Sequence, residues 1–87
     1  MRLKYEFETM ELDDQIVAIP VGEGHEEYHG VIKLNETGAR IFELLKSDIT
    51  EEAIIDIIER EYGVDHEKVA VDVGTFVAKF QEKGMLV

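Results

Sequence analysis

The sequence predicts an α+β architecture in which a three-stranded antiparallel sheet precedes three helices, in the order β-β-β-α-α-α. Three observations carry this. Over the first third of the chain, apolar residues alternate with polar ones or form short runs broken by turn residues. From residue 35 onward they recur at the i, i+3, i+4, i+7 spacing of a helix face. Each change of element coincides with a residue suited to cap a helix or turn a chain.

The elements follow in order. Leu3, Tyr5 and Phe7 alternate with Lys4, Glu6 and Glu8, the period of a half-buried strand, and Asp13-Asp14 reads as a turn. "QIVAIPV" places Ile16, Val17, Ile19 and Val21 in a second strand. Pro20 donates no ladder bond and belongs at a sheet edge, a bulge or the strand's end. "GEGHEE" is a polar loop, and "YHGVIKL" returns as the third strand of a meander. Asn35 then caps the first helix, with Glu36 favourable in its first turn and Gly38, Ile41, Phe42 and Leu45 on one face. Thr50 caps the second helix, Ile54, Ile57 and Ile58 form its buried stripe, and Gly63 closes it. Asp65 opens a third helix reaching to about Lys83, and Gly84 ends it before Met85-Leu86-Val87. Because Asn35 both ends the third strand and caps the first helix, the angle between sheet and helices is fixed at that junction.

Composition excludes several functions. Eighty-seven residues suit a single domain spanning 1–87, with little room for a deep active site beside its core. The absence of Cys removes disulfides, thiolate metal sites and a cysteine nucleophile. "MRLKYEFETMEL" is no signal peptide, and no run approaches the roughly 18 apolar residues of a membrane span, so a soluble cytoplasmic protein is expected. Twenty acidic against nine basic residues give a formal charge of −11, which disfavours nucleic acid and anionic membranes. His25 and His29 share a loop with several glutamates but lack a fixed third ligand, so no metal is expected. No P-loop, GxGxxG or serine elbow occurs, so neither catalysis nor a cofactor is expected.

The third helix is apolar over too wide an arc. Val69, Val73, Phe76 and Phe80 define a core stripe, flanked on one side by Asp65, Asp72, Lys79 and Lys83. Ala70, Gly74, Val77 and Ala78 extend the apolar arc on the other side, with Val71 beyond, past the roughly 100° a surface helix needs. Gly74 in mid-helix costs about 1 kcal/mol relative to Ala, which points to a close neighbour. That neighbour is either one of the protein's own elements or an apolar segment of a partner lying in an open groove. A free sheet edge beside such a groove binds an extended peptide by strand addition, and the third strand is the candidate edge.

Three strands, three helices and the tight turn "EYGVD" also describe a winged helix-turn-helix. A DNA-binding member of that class needs a basic third helix. Here Lys68, Lys79 and Lys83 are offset by Asp65, Glu67, Asp72 and Glu82, so DNA binding, or a transcription-associated role, stands as the alternative.

"GVIKLNETGARIFELL", "TEEAIIDIIEREYGVDHEKVAVDV" and "FVAKFQEKGMLV" together resemble the PqqD-like family of peptide-recognition domains over roughly residues 28–87. The resemblance implies a winged-helix-like fold that binds the leader of a ribosomally made precursor peptide as an added strand. It also implies presentation to a separate modifying enzyme, often a radical S-adenosylmethionine enzyme, without catalytic residues of its own. Carried onto this chain, the contact residues are Tyr28, Val31, Ile32 and Lys33 from the strand and Val71, Gly74, Thr75 and Ala78 from the third helix. Lys33 suits an acidic leader residue. The family's helix-one aromatic is often Trp and is Phe42 here. The strong acidity, which the family does not require, points to a basic leader or a basic docking face on the enzyme. The pyrroloquinoline quinone pathway is one of several peptide-modification systems the resemblance admits. A monomer is expected, with a weak or strand-swapped dimer through the open edge as its variant.

Overall fold

The computed structural model describes residues 1–22 and 30–87. Strands β1 (Phe7–Leu12), β2 (Gln15–Pro20) and β3 (Ile32–Leu34) form one antiparallel sheet in that order. Helices α1 (Glu36–Leu44), α2 (Glu51–Tyr62) and α3 (His66–Glu82) follow, so the expected α+β order holds. No helix among the described residues is long and apolar enough to cross a membrane.

The first strand lies later than its alternation suggested. Leu12 pairs with Gln15 across the two-residue turn Asp13-Asp14, with Asp13 at φ 58°, so the residues that enter the ladder must immediately flank that turn. Leu3, read as part of this strand, instead bridges Leu86 of the C-terminal tail. The alternation of Leu3, Tyr5 and Phe7 records burial against that tail and the core rather than a place in the sheet.

Ladder parity decides which backbone groups face the open edges. Val21 N–H donates to the Glu6 carbonyl, so even-numbered residues of β1 exchange hydrogen bonds with β2, and even-numbered residues of β2 turn toward β3. Pro20 therefore lacks its N–H on the side where β3, whose pairing ends at Ala18, does not reach. The cost to the ladder is nil.

Local chemistry sets the helix ends as the sequence indicates. Asn35 Oδ1 accepts from Gly38 N–H at 2.7 Å, and Thr50 Oγ1 accepts from Ala53 N–H at 3.1 Å. Gly63 ends α2 in the left-handed conformation at φ 61°. Asp65 holds the cap position of α3 without a side-chain cap bond.

The core gathers one face of every element. Phe7 meets Phe42 edge-on at 5.2 Å, Phe42 meets Phe80 at 5.8 Å, and Phe80 stacks on Phe76 at 4.3 Å. This aromatic chain joins β1 through α1 to α3, and offset or edge-on pairs of this kind add to what burial contributes. Val77, read as part of the apolar flank, is buried with Val69, Val73 and Phe80, while Phe76 of the expected core stripe is only partly buried. The core therefore lies rotated on α3 toward α2.

Arg40 of α1 clamps Glu61 of α2 through Nε–Oε1 at 2.7 Å and Nη2–Oε2 at 2.6 Å. The hydrogen bonds from Arg40 hold the Glu61 carboxyl below its ordinary range. A folded-state pKa below the unfolded one gives stability that is complete above the ordinary glutamate range and lost as pH falls through the lowered value. Glu61→Gln is thus expected to lower the melting temperature slightly at pH 7. Thermal melts of variant and parent should converge once pH falls below that lowered value, where both carry a neutral side chain.

Candidate functional site

Among the described residues no strand pairs with the outer edge of β3, and this edge is the first component. Ile32 and Leu34 bond to β2, so Val31 and Lys33 turn their backbone N–H and C=O groups to the open side. Their side chains lie on the sheet's outer face, both exposed, whereas Ile32 and Leu34 point inward to the core. A strand added here meets Val31 and Lys33 through its backbone. Its residues opposite Ile32 and Leu34 point inward, and those opposite Val31 and Lys33 point outward. Tyr28 lies outside the described residues.

The second component is the flank of α3 nearest this edge. Gly38 is buried at the start of α1, where a Cβ would meet Asn35 Oδ1 at 3.0 Å, Phe76 Cε2 at 3.4 Å and Leu34 Cδ2 at 3.7 Å. Gly38 thus seats the end of β3 and α3 on either side of one small residue. At about 100° per residue, Phe76 is followed outward on that flank by Asp72, Lys79 and Lys68. Gly74 lies on the other side of the helix, where among the described residues a Cβ would meet only Glu51 Oε2 of α2, at 4.0 Å. No described residue approaches it more closely, and the element it faces is the protein's own second helix. The structure brings Val31, Ile32 and Lys33 together at the edge, while Val71, Thr75 and Ala78 are exposed on α3, with Val71 at 67%, and Gly74 is half-buried beside α2.

Phe76 serves the core as its spacing suggests, stacking on Phe80 at 4.3 Å, and its partial exposure beside Gly38 also brings it to the surface near the end of β3.

Next to Phe76 along α3 lies a cavity of about 220 Å³. Ile58, Val69 and Val73 form its apolar floor, Tyr62 and Val64 its half-exposed wall, and Thr37, Lys68 and Asp72 its rim. Thr37 follows Leu34 by three residues, so the cavity opens close to where the edge strand ends. A broader depression, of about 860 Å³, lies between the N-terminal segment and Val21-Gly22, away from the β3 edge.

On the Phe76 flank of α3, Lys68, Lys79 and Lys83 stand among Asp65 and Asp72, so three of the nine basic residues of a chain of charge −11 gather there, while Lys33 extends from the sheet's outer face. Among the described residues no three His, Asp or Glu side chains are grouped to hold a metal, and His25 and His29 lie outside those residues.

The family model described as Coenzyme PQQ synthesis protein D (PqqD) matches residues 24–86. Among solved structures, TbiB1 in complex with the TbiA(beta) leader peptide is similar. Its TM-score is 0.70 at 28% identity, covering 99% of this chain and 94% of that one. Lasso peptide synthetase B1 complexed with the leader peptide shares the fold, with a TM-score of 0.66 at 24% identity and coverage of 97% and 93%. No curated protein matches the chain.

Proposed function

Because this chain belongs to the PqqD family, we propose that it binds the leader of a ribosomally made precursor peptide as a fourth strand beside β3 and presents it to a separate modifying enzyme. The observation that carries this reading is the outward-turned backbone of Val31 and Lys33 beside the Phe76 flank of α3, in a fold shared with a leader-peptide complex. Backbone hydrogen bonds at Val31 and Lys33 supply sequence-tolerant affinity, and inward side chains supply selection. The leader residues opposite Ile32 and Leu34 are apolar, because they face Phe76 and the core. The residue opposite Lys33 is acidic, since opposite charges stabilise a cross-strand pair. The lysines along α3 favour further acidic residues in the same leader.

In this reading the helix contribution comes from Phe76, Asp72 and Lys79, with Thr75 on the same flank; Val71, Gly74 and Ala78 are the alternative contacts, further round the helix. The protein is a cytoplasmic adaptor and carries out no chemistry itself; its radical S-adenosylmethionine or other enzyme partner does so. The leader comes from the pyrroloquinoline quinone pathway or from another modified-peptide system with the same pattern.

An amide-resolved NMR titration with the leader half of a short precursor encoded beside this gene tests the reading. Shifts should concentrate in residues 31–34, in Gly38 and along the Phe76 flank of α3, and leave Val71 and Ala78 unmoved. Shifts confined to Val71, Gly74 and Ala78 would place the site further round α3. Binding to duplex DNA that falls steeply with salt would favour the winged-helix alternative.

A further inference from the structure

The sheet is apolar on both faces. An antiparallel sheet packed on one side normally turns polar residues to water on the other. Here the outer face presents Met10, Leu12, Val17, Ile19 and Val31, with Glu8, Gln15 and Lys33 as its polar members. Met10, Leu12 and Val31 are 43%, 53% and 56% exposed. Val17, flanked by Met10 and Lys33 across the strands, is only 5% exposed yet lies outside the core cluster, so this face has a packed centre of its own. Contiguous exposed apolar surface of this kind marks an interaction site more often than chance placement does.

Charge selects the occupant. Glu8 lies on the β1 side of the face and Asp13 and Asp14 sit in the turn at its end, and a second copy would bring another −11 against them. A protein with an apolar patch rimmed by Lys and Arg is favoured instead. The face is also continuous with the β3 edge: Val31 and Lys33 offer backbone to the edge and side chain to the outer face. A leader strand added there contributes its outward residues to this same surface.

We propose that the outer face of the sheet, centred on Met10, Leu12 and Val17, is where the modifying enzyme docks, through an apolar patch with a basic rim, and that a bound leader enlarges the docking surface. The enlargement rests on the leader reading above; the docking face does not. Enzyme and leader then reinforce each other's binding by the same factor, as linkage requires.

The test titrates the full-length chain with the modifying enzyme encoded beside this gene, by calorimetry, with and without leader peptide. The double variant Met10→Ser/Leu12→Ser should weaken enzyme binding by about tenfold or more, as loss of central apolar contacts does. Leader affinity should stay within about twofold, since β1 is two strands away from the site of addition. Glu8→Lys/Asp14→Lys should also weaken enzyme binding at low salt, with the difference closing as salt rises. Circular dichroism confirms that each variant folds. Enzyme affinity unchanged in both variants, or absent in the parent chain, overturns the proposal. So does sedimentation showing that the parent dimerises and Met10→Ser/Leu12→Ser is monomeric, since the face then belongs to a second copy. If enzyme binding depends on Met10 and Leu12 while no leader binds, the docking face stands and the leader reading falls.

Discussion

Lys33→Pro is expected to weaken leader binding by roughly 10–1000-fold while the domain stays folded. The asymmetry follows from ladder parity. Lys33 N–H points away from β2, so proline there removes a donor that the fold itself does not use. The lost bond leaves a leader carbonyl buried without a partner, and the proline ring occupies the space where that carbonyl must approach. Lys33→Ala separates charge from backbone, and should cost only the part due to the acidic residue opposite. Ile32→Pro is the converse control, because it removes a bond to β2 and should destabilise the sheet. Equal leader affinity in parent and Lys33→Pro, measured by the same titration, would rule out strand addition at β3.

Phe42→Ala is expected to leave much of the protein unfolded at 37 °C. Phe42 is completely buried and holds the middle of the aromatic chain, with Phe7 and Phe80 edge-on to it from β1 and α3. Truncating a buried phenylalanine costs about 3–5 kcal/mol, since the cavity closes only in part. Natural domains hold only about 5–15 kcal/mol in total, and one this short sits toward the low end. Chemical denaturation followed by circular dichroism measures the loss directly. A midpoint shifted by less than about 1 kcal/mol equivalent would mean that the surrounding helices collapse onto the site.

What the sequence made legible divides by range. Asn35, Thr50 and Gly63 act within one turn of their own position, so the chemistry of a single residue suffices to place three helix ends. The segment before the first strand depends on a partner more than eighty residues away, since Leu3 pairs with Leu86, and no local pattern contains that information. The same limit applies to α3. Its wheel reveals an apolar arc that is too wide, but the width does not say which flank faces α2 and which faces β3. Val77 and Gly74 turned out to face the protein's own interior and second helix, and Phe76 the surface near the end of β3. The directions of Val31, Ile32 and Lys33 were legible because alternation along a strand fixes them without reference to neighbours.

The two chain ends lie side by side. Arg2 and Val87 exchange backbone hydrogen bonds at 3.1 and 2.8 Å, and Lys4 N–H donates to the Met85 carbonyl at 2.8 Å. A polypeptide entering at residue 1 and one leaving at residue 87 therefore share a single exit point. Such a unit can be spliced into a host protein by two short linkers, or relinked end to end and opened at the Asp13-Asp14 turn. The junction is not neutral on the N-terminal side, because the terminal ammonium of Met1 bonds Asp48 at 2.9 Å and the Ile49 carbonyl at 3.0 Å. Modular transplantation of this recognition unit should thus be easiest through its C-terminal end.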